Sequence, residues 1–202
     1  MIPVDPAALS ERDNYKFLIG SIIPRPIAFV TTLSEDDVLN GAPFSYFNIV
    51  TANPPMISVS VQRKEGRQKD TAKNILNKKQ FVVHIVDEQN VAKINETAAS
   101  LSPNESEIAL AGLTPIDSAK VSVPGVKEAK IRMECILEQS IPLGGTDAPG
   151  CDLIIGRVVQ FHIEENIYEK GRIDPRGLAA VSRLARASYA KIGETFEIER
   201  PK

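Results

Sequence analysis

Hydrophobic and polar residues alternate with a period of two over several short stretches of the chain, which is the pattern of half-buried β-strands. The stretch "PIAFVTTL" (26–33) is rich in β-branched residues, and "VLNGAPF" (38–44) follows it after the turn-forming residues "SEDD". The two stretches therefore predict a β-hairpin. "MISVSVQ" (56–62) alternates apolar and hydroxyl residues and predicts a strand with one polar face.

Between these stretches, "GAPFSYFNIVTANPP" (41–55) keeps neither a helical nor a strand period from its beginning to its end. It is bounded by proline and contains aromatic, hydroxyl and amide side chains. We expect a long loop here, placed between two strands.

Two later stretches carry helical signals. "KDTAKNILNKKQ" (69–80) offers Asp70 or Thr71 as an N-cap and predicts a short helix that leads into a strand at "FVVHIV" (81–86). Near the C-terminus, "RGLAAVSRLARASYA" (176–190) predicts a short amphipathic helix over a barrel seam, with intrachain packing as the alternative to a subunit contact. Its apolar stripe consists of Leu178, Val181, Leu184 and Ala185.

The extended pattern returns from residue 131 onward. An apolar face of Ile131, Met133, Cys135 and Leu137 alternates with a polar face of Arg132, Glu134 and Glu138. The stretch 152–168 is too long for one simple strand, and Gly156 predicts a bulge or bend within it. Many short strands with small helices at the turns predict a closed or nearly closed β-barrel.

Composition and charge narrow the class of protein. The 202 residues, 43% of them hydrophobic, fit one domain over 1–202 with a substantial core. With 24 basic and 26 acidic residues the formal charge is -2, so we expect no nucleic-acid or anionic-membrane partner. The N-terminus has no signal-peptide pattern and no apolar run is long enough to span a bilayer, so we expect a cytoplasmic protein. Cys135 and Cys151 lack C-x-x-C spacing and predict reduced thiols.

Several common catalytic sites lack their signatures in this chain. There is no dinucleotide-binding glycine motif, P-loop, hydrolase elbow or zincin motif in the sequence. His84 and His162 lie in apolar strand patterns, far apart in sequence, and we interpret both as structural in preference to catalytic or metal-binding. Any functional site must therefore use dispersed contacts.

The predicted loop and the basic stretch after 62 suit a flat, phosphorylated ligand. A flavin ring needs an aromatic or apolar wall and backbone partners, which "APFSYF" (42–47) could supply. Its phosphate needs cations, hydroxyls or a helix N-terminus, and "RKEGRQKDT" (63–71) contains all three. The alternative is a solvated charged turn. Asp70 would compete with a phosphate for the same donors unless its side chain turns away.

The chain resembles the flavin reductase-like, FMN-binding split-barrel family. The resemblance rests on the order and spacing of "GSIIPRPIAFVTT" (20–32), "NGAPFSYFN" (40–48), "NPPMISVSV" (53–61) and "KDTAKNI" (69–75), and it continues to "VSRLARASY" (181–189). The resemblance to the flavoredoxin-like branch is greater than the resemblance to the two-component monooxygenase partners. It implies a mainly β fold: a six-stranded antiparallel split barrel of Greek-key type with short peripheral helices, a homodimer, and FMN near the subunit interface.

The resemblance also implies roles for individual residues. Positions matching the FMN-binding residues are Thr31, Thr32, Ser45, Asn48, Ser60, Arg63, Lys69, Asp70 and Thr71. Positions matching residues near the open flavin face or the dimer contact are His162, Arg183 and Tyr189. Each has a structural alternative: Thr31 and Ser60 could face water from half-buried strands, and Ser45 could cap a turn. Asp37-Val38 stands where many relatives have Asp-Gly, so the first hairpin turn is expected to be longer or of another type.

The family chemistry belongs to the cofactor, so no general base is expected. The first hypothesis is an oxidoreductase that moves electrons from NAD(P)H through FMN to free flavin, a ferric chelate or a protein acceptor. The alternative is an FMN-binding electron carrier, or a flavin-binding protein, without its own nicotinamide site. A third interpretation, a cofactor-free interaction module, has less support from the K-D-T match.

Overall fold

The computed structural model describes residues 1–99, 101–102 and 104–201. Its strands are β1 Arg25–Pro26, β2 Ala28–Leu33, β3 Leu39–Phe44, β4 Phe47–Ala52, β5 Pro55–Gln62, β6 Gln80–Ile85, β7 Pro115–Ile116, β8 Gly125–Val126, β9 Ile131–Leu143, β10 Cys151–Ile163, β11 Tyr168–Glu169, β12 Arg172–Ile173, β13 Val181–Arg183 and β14 Tyr189–Lys191. Its α-helices are α1 Glu11–Ser21, α2 Asp70–Lys78, α3 Val91–Glu96, α4 Glu107–Leu110 and α5 Pro175–Leu178, with 3-10 turns at Pro6–Ala8 and Glu165–Ile167. Among the described residues, no helix is long and apolar enough to cross a membrane.

The principal sheet has seven strands in the order β3-β2-β6-β9-β10-β5-β4, and its paired strands are antiparallel. The mainly β, split-barrel class predicted from the sequence is confirmed, with one strand more than expected. The edge strands β3 and β4 are consecutive in the chain and are joined by Ser45 and Tyr46 alone. Such a short connection between opposite edges requires the sheet to curl round on itself.

The first predicted hairpin is confirmed. β2 pairs with β3 from Ala28 opposite Phe44 to Leu33 opposite Leu39. The turn runs from Ser34 to Val38, where the Ser34 N–H donates to the Val38 carbonyl, so it is longer than a two-residue Asp-Gly turn. Asp37 adopts a positive φ of 59° there, a conformation that Asp tolerates better than most residues.

The predicted loop at 41–55 is wrong. Its beginning belongs to β3, and residues from Phe47 onward form β4, which pairs with β5. The strand pattern is absent from the sequence because β4 is an edge strand whose side chains are mostly exposed; Ile49 is 77% exposed. Without a buried face there is no period of two to detect.

The long strands β9 and β10 form the longest ladder of the sheet. The predicted irregularity at Gly156 is confirmed, since the β9–β10 register shifts between Ile155 and Gly156. A side chain at Gly156 would place its Cβ 2.2 Å from Cζ of Phe81. Close packing of Phe81 on the bare backbone therefore accounts for glycine at this bend.

The polar face predicted for β9 is wrong at one residue. Glu134 is fully buried, because the backbone N–H groups of Ala119, Lys120 and Val121 fold over its carboxylate. Cys135 is buried as predicted for the apolar face, and its thiol is free.

The helix predicted after residue 69 is confirmed as α2, although its cap differs. Lys69 is the N-cap residue, and no side chain caps the first turn. Neither Asp70 nor Thr71 takes that position, because Lys69 retains the extended backbone (φ -73°, ψ 154°) from which the helix begins.

The predicted C-terminal amphipathic helix is wrong. α5 ends at Leu178, its C-cap residue Ala179 adopts a left-handed conformation, and the chain continues as the hairpin of β13 and β14. β13 pairs with β1, so Arg25 lies opposite Arg183. These long-range pairings override the helical spacing of the apolar residues.

His84 is a fully buried member of β6. Its Nδ1–H donates to the Phe29 carbonyl at 3.0 Å, and the Val126 N–H donates to its Nε2 at 3.0 Å. Both ring nitrogens are therefore engaged with the neutral imidazole. Burial lowers the pKa of His84 to about 4.

This arrangement predicts a loss of stability in mild acid. The unfolded chain takes up a proton on His84 below about pH 6.5, whereas the folded chain does so only near pH 4, so acid favours unfolding across that window. The wild-type free energy of unfolding should fall by about 3 kcal/mol more between pH 7.5 and 4 than that of His84→Gln. Urea titrations at each pH measure this difference, and identical pH profiles would contradict it.

Candidate functional site

A cavity of about 330 Å³ lies beside the β3–β4 connection. Phe44, Ser45 and Tyr46 form one side, Ser60 on β5 lies next to them, and Tyr15 of α1 contributes a further ring. The sequence folds this way locally because β5 pairs with β4 and the Ser60 N–H donates to the Tyr46 carbonyl at 2.8 Å. Aromatic rings and hydroxyls thus share one concave surface.

The charge of this cavity is strongly one-sided. Its lining contains Arg25, Lys69, Arg183 and Arg186, whereas no Asp or Glu is among the described residues that line it. Positive charge gathered in a concave, partly desolvated site attracts and retains anions. The cavity therefore suits a ligand with an aromatic body and negative charge.

Arg25 is the buried member of this set, at 6% exposure. Its guanidinium donates to the carbonyls of Ile19 and Ile22 in and after α1, and to that of Leu184 after β13. Its Nε is buried without a hydrogen-bond partner among the described residues. Arg25 therefore joins the N-terminal helix to the C-terminal hairpin while its charge remains unpaired.

The C-terminal hairpin forms another wall of the cavity. The guanidinium carbon of Arg183 lies 4.5 Å from the ring centroid of Tyr189, a cation–π distance. Arg183 also donates to the Arg186 carbonyl at 2.6 Å, and the Tyr189 hydroxyl donates to Asn95 at 2.9 Å. These contacts fix two large side chains on the cavity wall.

A second cavity, of about 600 Å³, shares Phe44 and Lys69 with the first. The start of α2 lines it through Asp70 and Thr71, together with Lys64 and Arg67 from the preceding turn. Because no side chain caps α2, its first N–H groups are available to an anion at the positive end of the helix.

The structure brings together some of the predicted site residues and separates others. Those that line the first cavity are Ser45, Ser60, Lys69, Arg183 and Tyr189. Those that line the second are Lys69, Asp70 and Thr71. Those that line neither are Thr31, Thr32, Asn48, Arg63 and His162.

Thr31 and Thr32 are buried in β2. The Thr31 hydroxyl donates to the Pro124 carbonyl at 2.7 Å, so the alternative that Thr31 faces water is wrong. The Thr32 hydroxyl accepts from the amide of Asn74 at 3.1 Å, which ties α2 to β2. In this chain both threonines hold structural elements next to the cavities.

Arg63 forms a bidentate ion pair with Asp152, with N···O distances of 2.9 and 2.7 Å. This hydrogen bonding from Arg63 holds the pKa of the Asp152 carboxyl below its usual range, despite burial. The pair fixes the turn that precedes α2. Asn48 is exposed on β4, where its side-chain oxygen accepts from the Ile49 N–H.

Sequence reasoning missed several cavity residues, namely Tyr15, Arg25 and Arg186. The signal for Arg25 was its position between two prolines in "PRP", an extended segment that ends at a strand. The signal for Tyr15 was the serine–acid pattern of "SERD", which begins α1: Ser10 accepts from the Asp13 N–H. No local signal marked Arg186, whose place depends on the C-terminal hairpin.

A family model described as "Flavin reductase like domain" matches residues 19–180. The chain belongs to the flavin reductase-like family. The Bacillus subtilis protein YwrF is 53% identical over 96% of each chain. The crystal structure of nitrilotriacetate monooxygenase component B from Bacillus cereus is 65% identical, covers 98% of each chain and superposes with a TM-score of 0.97.

More distant members share the fold. The flavoredoxin of Desulfovibrio vulgaris is 23% identical over 88% of this chain and 91% of its own, with a TM-score of 0.75. Identity is thus higher with the monooxygenase component than with this flavoredoxin. A flavin is the ligand class that the family name indicates, and the aromatic, cationic cavity fits it.

Proposed function

We propose that the protein is an FMN-dependent oxidoreductase that passes electrons from NAD(P)H through bound FMN to free flavin, a ferric chelate or a protein acceptor. The observation that carries this proposal is the pair of adjoining cavities around Phe44 and Lys69. FMN combines a flat aromatic ring with a terminal phosphate. An aromatic cavity joined to an uncapped helix start that carries Lys69 matches both ends of that molecule.

At the phosphate end, Lys69 and the first turn of α2 provide the donors. Lys64 and Arg67 line the same cavity, where they offset the negative charges of Glu65 and Glu107. Asp70 is exposed, so its carboxylate can point to solvent while its N–H group faces the phosphate. Arg63 supports this end indirectly, because its ion pair with Asp152 fixes the turn before the helix.

At the ring end, Phe44, Ser45 and Tyr46 provide the wall, and Ser60 provides a hydroxyl. When bound, FMN supplies hydride acceptance and electron transfer at its ring, which no side chain provides. Arg183 and Tyr189 form another wall of this cavity. The cations of this cavity balance the phosphates of a nicotinamide donor, which explains the absence of acids from its described lining.

Of the three acceptors, free flavin has an additional argument. The Bacillus cereus relative at 65% identity is named as component B of a monooxygenase, which implies a separate protein component. A reductase that supplies a separate monooxygenase can do so by releasing reduced flavin.

We also propose that two copies of the chain pair through α1 and β4. Four large apolar side chains on these elements are each more than half exposed to water, which is energetically unfavourable. They are Tyr15, Phe17 and Leu18 of α1 and Ile49 of β4. Since α1 lines the flavin cavity through Tyr15, pairing and FMN retention are linked. Asn48 on β4 would reach a flavin only across such an interface.

The phosphate assignment predicts a selective loss of affinity. Lys69→Ala removes a charge-assisted contact worth roughly 1.5 to 3 kcal/mol, so FMN affinity should fall about tenfold or more. Riboflavin, which lacks the phosphate, should bind almost unchanged. Lys73→Ala, an exposed lysine one turn along α2, is the matched control and should bind both flavins normally. Flavin fluorescence quenching measures each Kd; equal losses for both flavins would contradict the assignment.

The reductase activity predicts rapid bleaching of the FMN-loaded protein by NADH or NADPH without oxygen, followed by anaerobic stopped-flow absorbance. A loaded protein that stays oxidised with both nicotinamides would contradict the reductase function. If a reduced ferredoxin alone then bleaches it, the electron-carrier alternative is supported instead.

The pairing predicts that Leu18→Glu gives a monomer with weakened FMN binding, because a charge is buried without a partner at the interface. Leu110→Glu is the matched control, since Leu110 is exposed to the same degree, 54% against 55%. Light scattering should show a dimer for wild type and Leu110→Glu. A wild-type monomer that retains FMN would refute the linkage.

A further inference from the structure

A cleft of about 630 Å³ lies at the end of the β9–β10 ladder where His162 pairs with Arg132. Phe161 and the segment 127–130 complete its walls. The described residues that line it include none of those that line the two flavin cavities. The chemistry proposed above leaves this cleft without a role.

His162 is fixed by the buried carboxylate of Glu134. Its Nε2–H donates to Glu134 at 2.5 Å, while the N–H groups of Ala119 and Lys120 donate to the same carboxylate at 2.6 Å each. These donors, together with burial, account for most of the hydrogen-bonding capacity of Glu134. The carboxylate therefore orients the imidazole and has little capacity left for other cations.

Arg132 is held in the cleft but has no anion as a direct partner. Its side chain packs on Gly125, where a Cβ would lie 3.0 Å from its Cδ. Among the described residues, its guanidinium donates no hydrogen bond and forms no ion pair within 4.0 Å. Burial lowers the pKa of Arg132, and the nearby charge of Glu134 offsets this in part. A partly desolvated guanidinium is stabilised when an anion accepts its hydrogen bonds.

The other charged groups of the lining are already engaged or face solvent. Both oxygens of Glu128 accept from the Thr114 N–H, at 3.0 and 3.1 Å. Lys130 donates to the carbonyls of Gly177 and Leu178. Lys127 and Glu164 are exposed and face solvent. Arg132 is therefore the partly desolvated cation of the lining that lacks a partner among the described residues.

We propose that this cleft binds a small organic anion, with its carboxylate or phosphate head on Arg132 and Lys127 and its apolar part against Phe161. Phe161 presents an apolar surface that is 48% exposed, and Ile116 and Ile163 extend it. The site is separate from the flavin cavities, so it can be occupied with FMN in place.

The chain offers an internal probe for this binding, because it has 2 histidines. His162 lines the cleft, so its signals report a ligand there, whereas His84 is fully buried and lies opposite Arg132 in the β6–β9 ladder. Imidazole NMR signals of the FMN-loaded protein are followed during titration with benzoate, inorganic phosphate or the neutral benzyl alcohol. Benzoate, phosphate or both should shift the His162 signals saturably. A response to phosphate alone indicates a phosphoryl ligand, and a response to benzoate alone a carboxylate.

Substitutions in the cleft test whether the anion binds there. Arg132→Gln should weaken binding about tenfold or more, and Lys73→Ala, at an exposed position of α2 away from the cleft, should leave it unchanged. If Arg132→Gln lowers the thermal unfolding temperature and thus perturbs the fold, Lys127→Gln decides, with an expected loss of roughly twofold to fivefold. The proposal is overturned if neither anion moves His162, if benzyl alcohol moves it equally, or if the deciding variant retains wild-type affinity.

Discussion

The connection of β3 to β4 by Ser45 and Tyr46 is the constraint on which the site depends. It joins the two edges of a seven-stranded sheet, so the sheet must curl until those edges meet. The Ser60 N–H bond to the Tyr46 carbonyl holds the crossing against β5. The same crossing turns the Phe44, Ser45 and Tyr46 side chains toward the cavity. Barrel closure and this wall of the cavity are therefore one feature of the chain.

Elements with a buried face could be predicted from the sequence, and elements without one could not. The strand β5 has an alternating pattern because one of its faces packs in the core, and β2 is an apolar and β-branched run because both of its faces are buried. β4 has no such pattern, since Ile49 and its neighbours are exposed on an edge. The prediction for the C-terminal hairpin was wrong for another reason. The helical spacing of apolar residues in 176–190 is a local signal, whereas the pairing of β13 with β1 is a long-range contact.

Some residues of the candidate site could likewise be predicted from the sequence, and others could not. Lys69, Asp70 and Thr71 could be placed from the sequence because a helix start positions its own residues. Arg25 could not, because its partners at Ile19 and Leu184 come together only in the folded chain. The pairing of Arg63 with Asp152 and of His162 with Glu134 likewise depends on strand register. Long-range contacts thus decide which charges remain available to a ligand.

A crystal structure of the protein soaked with FMN would show which cavity holds the phosphate and which holds the ring. We expect the phosphate within hydrogen-bond distance of Lys69 and the first N–H groups of α2, and the ring against Phe44, Ser45 and Tyr46. Arg63 should still be paired with Asp152. A flavin bound elsewhere, or one whose phosphate lies at Arg183 and Arg186 with its ring toward α2, would contradict the assignment of the two cavities.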